Sequence, residues 1–210
     1  MHRAWQHALS VGVVAAFAAP FTAAAFHAGA TYDLAPGAGG GGGFFYSGAP
    51  SDKGWTCAAC HLNAPQMAVV GLAAEPLNLL IDQRYTPGQT YDLTVALIDE
   101  HRGQASPLSN FNGFVLTSVD DQGRPAGVLG GGRPGQLYRR DDHIIASAGL
   151  VAGETSWTLR WTAPAAGRGD VSFFIAVVDG DGGAGAATET VTDPFGDDVA
   201  TMHVKISEGP

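Results

Sequence analysis

Basic side chains are scarce in this 210-residue chain: eleven Lys plus Arg face twenty Asp plus Glu, a net charge of −9. Nucleic acid and anionic lipid are both gripped through basic footprints, so neither is the expected partner. Cysteine is scarcer still. There are two, neither in a strand-like segment, so packing and not an inter-sheet disulfide must hold the fold. No segment sustains apolar spacing of 3.6 residues between caps, which leaves no long amphipathic helix to assign. Charged residues reach only 15%, and no apolar run attains the roughly 20 residues of a spanning helix. Thirty glycines and twelve prolines are present instead, the composition of turns and short strands.

The N-terminus reads as a processing signal. "MHRAWQH" is a short n-region with Arg3, and "ALSVGVVAAFAA" is an apolar core of about a dozen residues. Ala23-x-Ala25 then offers the small residues of a cleavage site, making residues 1–25 a signal peptide and Phe26 the mature N-terminus. Removing them takes away one Arg and no acid, so the mature charge is −10. The expected product is exported, with no membrane span in the mature chain, to the periplasm, cell surface or medium.

Residues 26–66 form a second region, rich in glycine and poor in periodic signal. The five-glycine run 39–43 cannot pack a core. Phe44, Phe45, Tyr46 and Trp55 crowd around the cysteines and read as a lid or wall for something apolar.

From Met67 to the end the pattern becomes that of strands. In "YDLTVALID" (91–99) Tyr91, Leu93, Val95 and Leu97 alternate with polar or small residues, after a Pro87-Gly88 turn. "SWTLRWTAP" (156–164) and "ATMHVKIS" (200–207) alternate likewise, "FNGFVLTSVD" (111–120) is a second strand-like run, and "HIIASA" (143–148) is short and apolar. Val171 to Val178 are almost all apolar, as in a central strand buried on both faces. Six or seven such strands between Gly/Pro/Asp turns predict an all-β sandwich over 67–210, with Trp157, Trp161, Phe173 and Phe174 between the sheets.

The chemistry concentrates in "WTCAACHLNAP" (55–65). Two thiols three residues apart with a histidine next do not arise by chance in so cysteine-poor a chain. A structural zinc site wants four ligands, and Cys57, Cys60 and His61 supply three. A thioredoxin-like dithiol belongs in a βαβ context, absent here. A plain disulfide or a labile metal site stays open after export, but the disulfide leaves His61 unexplained. Covalent haem c uses every element: Cys57 and Cys60 as thioethers to the two vinyl groups, His61 as axial ligand to the iron. For the sixth ligand the sequence offers His27, Met67, His101, His143, Met202 and His203, or none.

The order of "GAPSDKGWTCAACH" (48–61), "YTPGQTYDLTVAL" (85–97), "FNGFVLTSVDDQGRP" (111–125) and "WTLRWTAPAAGRGDVSFFIAVVDGDG" (157–182) resembles bacterial secreted reeler-like proteins of the choice-of-anchor type. In these a one-haem CxxCH segment precedes a reelin-type, immunoglobulin-like sandwich. The resemblance covers about residues 44–207 and implies that fold, with haem on Cys57, Cys60 and His61.

Two further features bear on function. "DGDGG" (179–183) and "DPFGDD" (193–198) bring Asp179, Asp181, Asp193, Asp197 and Asp198 to one sandwich end, where they read as turn formers or as a calcium-binding set. No serine sits in a nucleophile elbow, so nothing predicts a hydrolase. About forty mature residues surround the cysteines, too few to enclose a porphyrin alone, so one haem face is expected to rest on the sandwich or on a partner. The leading expectation is a redox carrier, not a catalyst, serving a partner protein. The alternatives are an adhesion or assembly module in which the cysteines are a staple, and a haem-based sensor.

Overall fold

The computed structural model describes residues 42–59, 61, 67–101, 112–132, 137–140, 143–146, 154–180 and 196–210. The expected signal peptide, His27, Cys60, Asp181 and Asp193 lie outside them. The described backbone is almost wholly β. Its strands are β1 (Val70–Glu75), β2 (Arg84–Tyr85), β3 (Thr90–Leu97), β4 (Gly113–Asp120), β5 (Val128–Gly130), β6 (Leu137–Arg140), β7 (His143–Ala146), β8 (Ser156–Thr162), β9 (Val171–Asp179) and β10 (Asp198–Glu208). One helical turn, Asn78–Ile81, links β1 to β2. Among the described residues no helix is long and apolar enough to cross a membrane.

The strands form two sheets, one in the order β1-β3-β8-β5 and the other β2-β10-β9-β4-β7-β6. Every pairing is antiparallel except the short parallel contact of β2 with the end of β10. The fold is therefore a two-sheet, all-β sandwich. Six of its strands are the six segments expected from alternation and apolar runs. The other four bring the total to ten, above the expected six or seven. β2 and β5 are two and three residues long, and their pairing comes from longer neighbours, not from a pattern of their own.

Alternation decides the core. In the β3–β8 register Tyr91 opposes Trp161, Leu93 opposes Leu159 and Val95 opposes Trp157, all pointing inward. They meet Phe114, Leu116, Phe173, Ile175 and Val177 from the second sheet. Trp161 sits at the centre, edge-on to Phe173 with centroids 4.8 Å apart, and its Nε1 donates to the Ala126 carbonyl at 3.1 Å. Full burial of each such aromatic side chain is worth about 2–3 kcal/mol. Phe174 does not join this core. The two-residue strand period turns it to the outer face, where it stacks on His203 at 4.5 Å.

β9 was expected to be buried on both faces, and its last five residues are. On the outer face Val115 and Ala176 are covered by Phe45 and Cys57, so the cysteine segment is packed against the six-stranded sheet.

Candidate functional site

The segment from Phe44 to His61 is built around one buried carboxylate. Asp52 Oδ1 accepts the Phe45 amide at 3.0 Å, and Oδ2 accepts the Ser47 amide at 2.9 Å and the Ser47 hydroxyl. The loop closes through a Ser47–Thr56 bridge and a Gly48 N–H to Trp55 carbonyl bond of 2.8 Å. A 3-10 turn, Pro50–Asp52, starts with proline's preset φ and ends at Lys53 in the left-handed region. His143 Nε2 lies 3.3 Å from Asp52 Oδ2, and its ring stacks on Phe45 with centroids 4.4 Å apart. Burial alone would push the Asp52 carboxyl up. Hydrogen bonds from His143, Ser47 and the Phe45 amide outweigh it and hold the carboxyl below its ordinary value.

The loop delivers a second 3-10 turn, Cys57–Ala59, onto the outer face of β9 and β10. The His61 amide donates to the Cys57 carbonyl at 2.9 Å, so Cys57 and His61 are one helical turn apart. Cys57 Sγ lies 3.9 Å from the Tyr46 carbonyl oxygen. The four aromatic residues expected to form one wall divide. Phe45 faces the sheet, while Phe44 packs edge-on against Trp55 at 5.1 Å under the Lys53 ammonium, and Trp55 stays half exposed.

His61 is turned toward the last strand. Its Nδ1 lies 2.5 Å from Asp197 Oδ2, and only 18% of the His61 side chain and 7% of the Asp197 side chain are exposed. A carboxylate oxygen accepts, so Nδ1 donates in this bond, and Nε2 is the ring nitrogen left outside it. Asp198 opens β10 opposite Asp179 of β9. Its Oδ2 accepts the amides of Met67 at 2.6 Å and Ala68 at 2.8 Å. His101 donates its amide to Asp179 Oδ2 at 2.9 Å, with Nδ1 3.0 Å from the same oxygen and Nε2 3.4 Å from Asp198.

The structure thus gathers Cys57, His61, Met67, His101, Asp179, Asp197 and Asp198 at one end of the sandwich. Asp179, Asp197 and Asp198 are not solvated turn formers but buried acceptors. Oxygens of all three face histidine rings or backbone amides, and among the described residues no three His, Cys, Asp or Glu side chains converge on a point a metal ion could occupy. His101, offered by the sequence as a sixth ligand, lies instead between two carboxylates. His143 belongs to the Asp52 loop. Met202 packs against the core, and His203 stands on the outer face six residues along β10 from Asp197, roughly 20 Å at strand rise.

Sequence reasoning missed Asp52, because "PSDKG" reads as a polar turn and nothing marks its aspartate as inward-facing. It also placed no serine near a His/Asp pair, whereas Ser47, Asp52 and His143 do meet. Ser47 and His143 both engage Asp52 Oδ2, an arrangement that fixes the loop.

Among solved structures the chain is similar to the reeler domain of human F-spondin, 17% identical over 67% of this chain and 89% of that one, with a TM-score of 0.44. It is similar also to the reelin-N domain of F-spondin, 17% identical over 73% of this chain and 96% of that one, with a TM-score of 0.45. A third is self-complemented MyfA, the major subunit of the Myf fimbriae of Yersinia enterocolitica, 12% identical over 68% of this chain and 99% of that one, TM-score 0.34. No family model matches the chain, and no curated protein matches it. The two-sheet architecture rests on the strand pairing itself.

Proposed function

We propose that this is an exported mono-haem c-type protein, reeler-like in architecture, whose sandwich carries the attachment segment and exchanges electrons with a partner protein. The observation that carries the reading is the His61–Asp197 bond, which engages Nδ1 and leaves Nε2 as the nitrogen that would ligate iron, one helical turn after Cys57. The surroundings fit a porphyrin. Phe45, Val115 and Ala176 give Cys57 an apolar seat, and Trp55, two residues before Cys57, and Met67, whose amide bonds Asp198, stay 47% and 56% exposed. Cys57 and Cys60 would hold the group and His61 would ligate it, with one-electron exchange as the chemistry it supplies when bound. The role of the chain is to fix the ring of His61, keep water from Asp197 and present the segment at the sheet surface. Such a protein is a carrier and not a catalyst, and its place is the periplasm, cell surface or medium.

The test is expression of the full chain alongside haem-attachment machinery, read by intact mass and a reduced-minus-oxidised spectrum. The expected mass is that of residues 26–210 plus one haem, and Cys57→Ala with Cys60→Ala should abolish the covalent spectrum. A colourless product at the polypeptide mass less two hydrogens would overturn the reading and leave an adhesion or assembly module stapled by Cys57 and Cys60.

A further inference from the structure

We infer that Asp197 is a positioning residue that sets the donor strength of His61 toward iron, lowering the potential of the site; this rests on the haem reading of Cys57, Cys60 and His61. The bond joins residues 136 apart in sequence, so local chain geometry does not produce it. β10 fixes it. Asp198, the next residue, is held by register with Asp179 and by the amides of Met67, Ala68 and Val199, which anchors the backbone beside Asp197.

The chemistry follows from charge. A backbone carbonyl at Nδ1 would orient the ring and do little else. A buried carboxylate at 2.5 Å draws the Nδ1 proton toward itself and puts electron density into the imidazole, which raises the basicity of Nε2. Electron density at the axial nitrogen stabilises ferric over ferrous iron. Low local dielectric strengthens the effect, and Asp197 is 5% exposed.

The experiment compares haem-loaded full-length wild type with Asp197→Asn and Asp197→Glu. Asparagine keeps the shape and an accepting oxygen but removes the charge; glutamate restores it. The expected result is a rise in midpoint potential in Asp197→Asn equivalent to at least a tenfold shift of the ferric/ferrous ratio, about 59 mV for one electron, with Asp197→Glu returning toward wild type. A merely structural Asp197 would leave the potential unchanged in any variant that holds haem, and that outcome overturns the inference while leaving the haem reading intact. Wild type lacking haem by mass brings down the haem reading, and the role of Asp197 with it, before any potential is measured. Should Asp197→Asn take up no haem, the Nδ1 nitrogen resonance of His61 in loaded wild type decides. A shift toward imidazolate supports the inference, and an ordinary neutral imidazole overturns it.

Discussion

Asp52 and His143 stand 91 residues apart in sequence and meet at 3.3 Å beside the Phe45 ring. Through this contact a loop that precedes the sandwich is tied to β7, and the Cys57 turn inherits its position. Replacing Asp52 with Ala leaves a buried imidazole and two loop amides without their acceptor. The expected loss is about 3 kcal/mol, read in a urea titration followed by near-UV dichroism.

The same carboxylate makes the loop sensitive to acid. Its folded pKa is held below 3.8, so as pH falls the unfolded chain takes up the proton first. Its stabilisation is whole above that value and is lost as pH drops through the depressed one. Stability should therefore decline more steeply in the wild type than in Asp52→Asn on passing below pH 3.8. Parallel acid profiles would show that Asp52 does not support the loop.

At the opposite pH limit, burial, then the nearby Glu208 carboxylate, pushes the Tyr85 hydroxyl up from 10.0 to about 12. Tyr85 donates to the Gly169 carbonyl at 2.7 Å and to Glu208 at 3.3 Å. A raised pKa means that this stabilisation is complete below pH 10 and fades as pH rises toward 12. Tyr85→Phe should flatten that alkaline decline and cost about 1 kcal/mol at neutral pH.

Gly127 tests the sandwich without touching the candidate site. Its φ is +78°, and a Cβ there would collide with Trp161 Nε1 and come within 2.5 Å of the Thr162 carbonyl and 2.9 Å of Trp161 Cε2. Gly127→Ala combines left-handed strain with overpacking and should cost about 2–4 kcal/mol. Trp161 fluorescence would report the displaced ring; an unchanged melting temperature would contradict the packing described.

For the haem-loaded protein, His203→Ala and Met202→Leu should leave the Soret and α bands as in wild type. The first lies roughly 20 Å along β10 from Asp197 and the second is packed into the core. A change from low to high spin in either variant would identify it as the sixth ligand.

The parts of the fold that sequence revealed are those where one strand carries its own pattern. β3 and β8 alternate cleanly because one face is buried and the other wetter, and β9 reads as an apolar run because its second half is covered on both faces. β2 and β5 exist because of what they pair with, so two or three residues of sequence could not announce them. Phe174 was assigned inward because a run of apolar residues hides its own parity. At the site, Cys57 and His61 were legible from spacing alone. Asp197 was visible only as one acid among several, since its partner is set by the closure of β10 and not by any neighbouring residue.

That closure has a temporal side. A chain made from its N-terminus presents His61 long before Asp197, which follows 136 residues later just ahead of the last strand. The imidazole therefore waits, without its carboxylate, until nearly the whole polypeptide has emerged and the final ribbon zips alongside β9. Polypeptides broken off short of that ribbon would display both halves of the thiol–histidine motif yet never complete its setting.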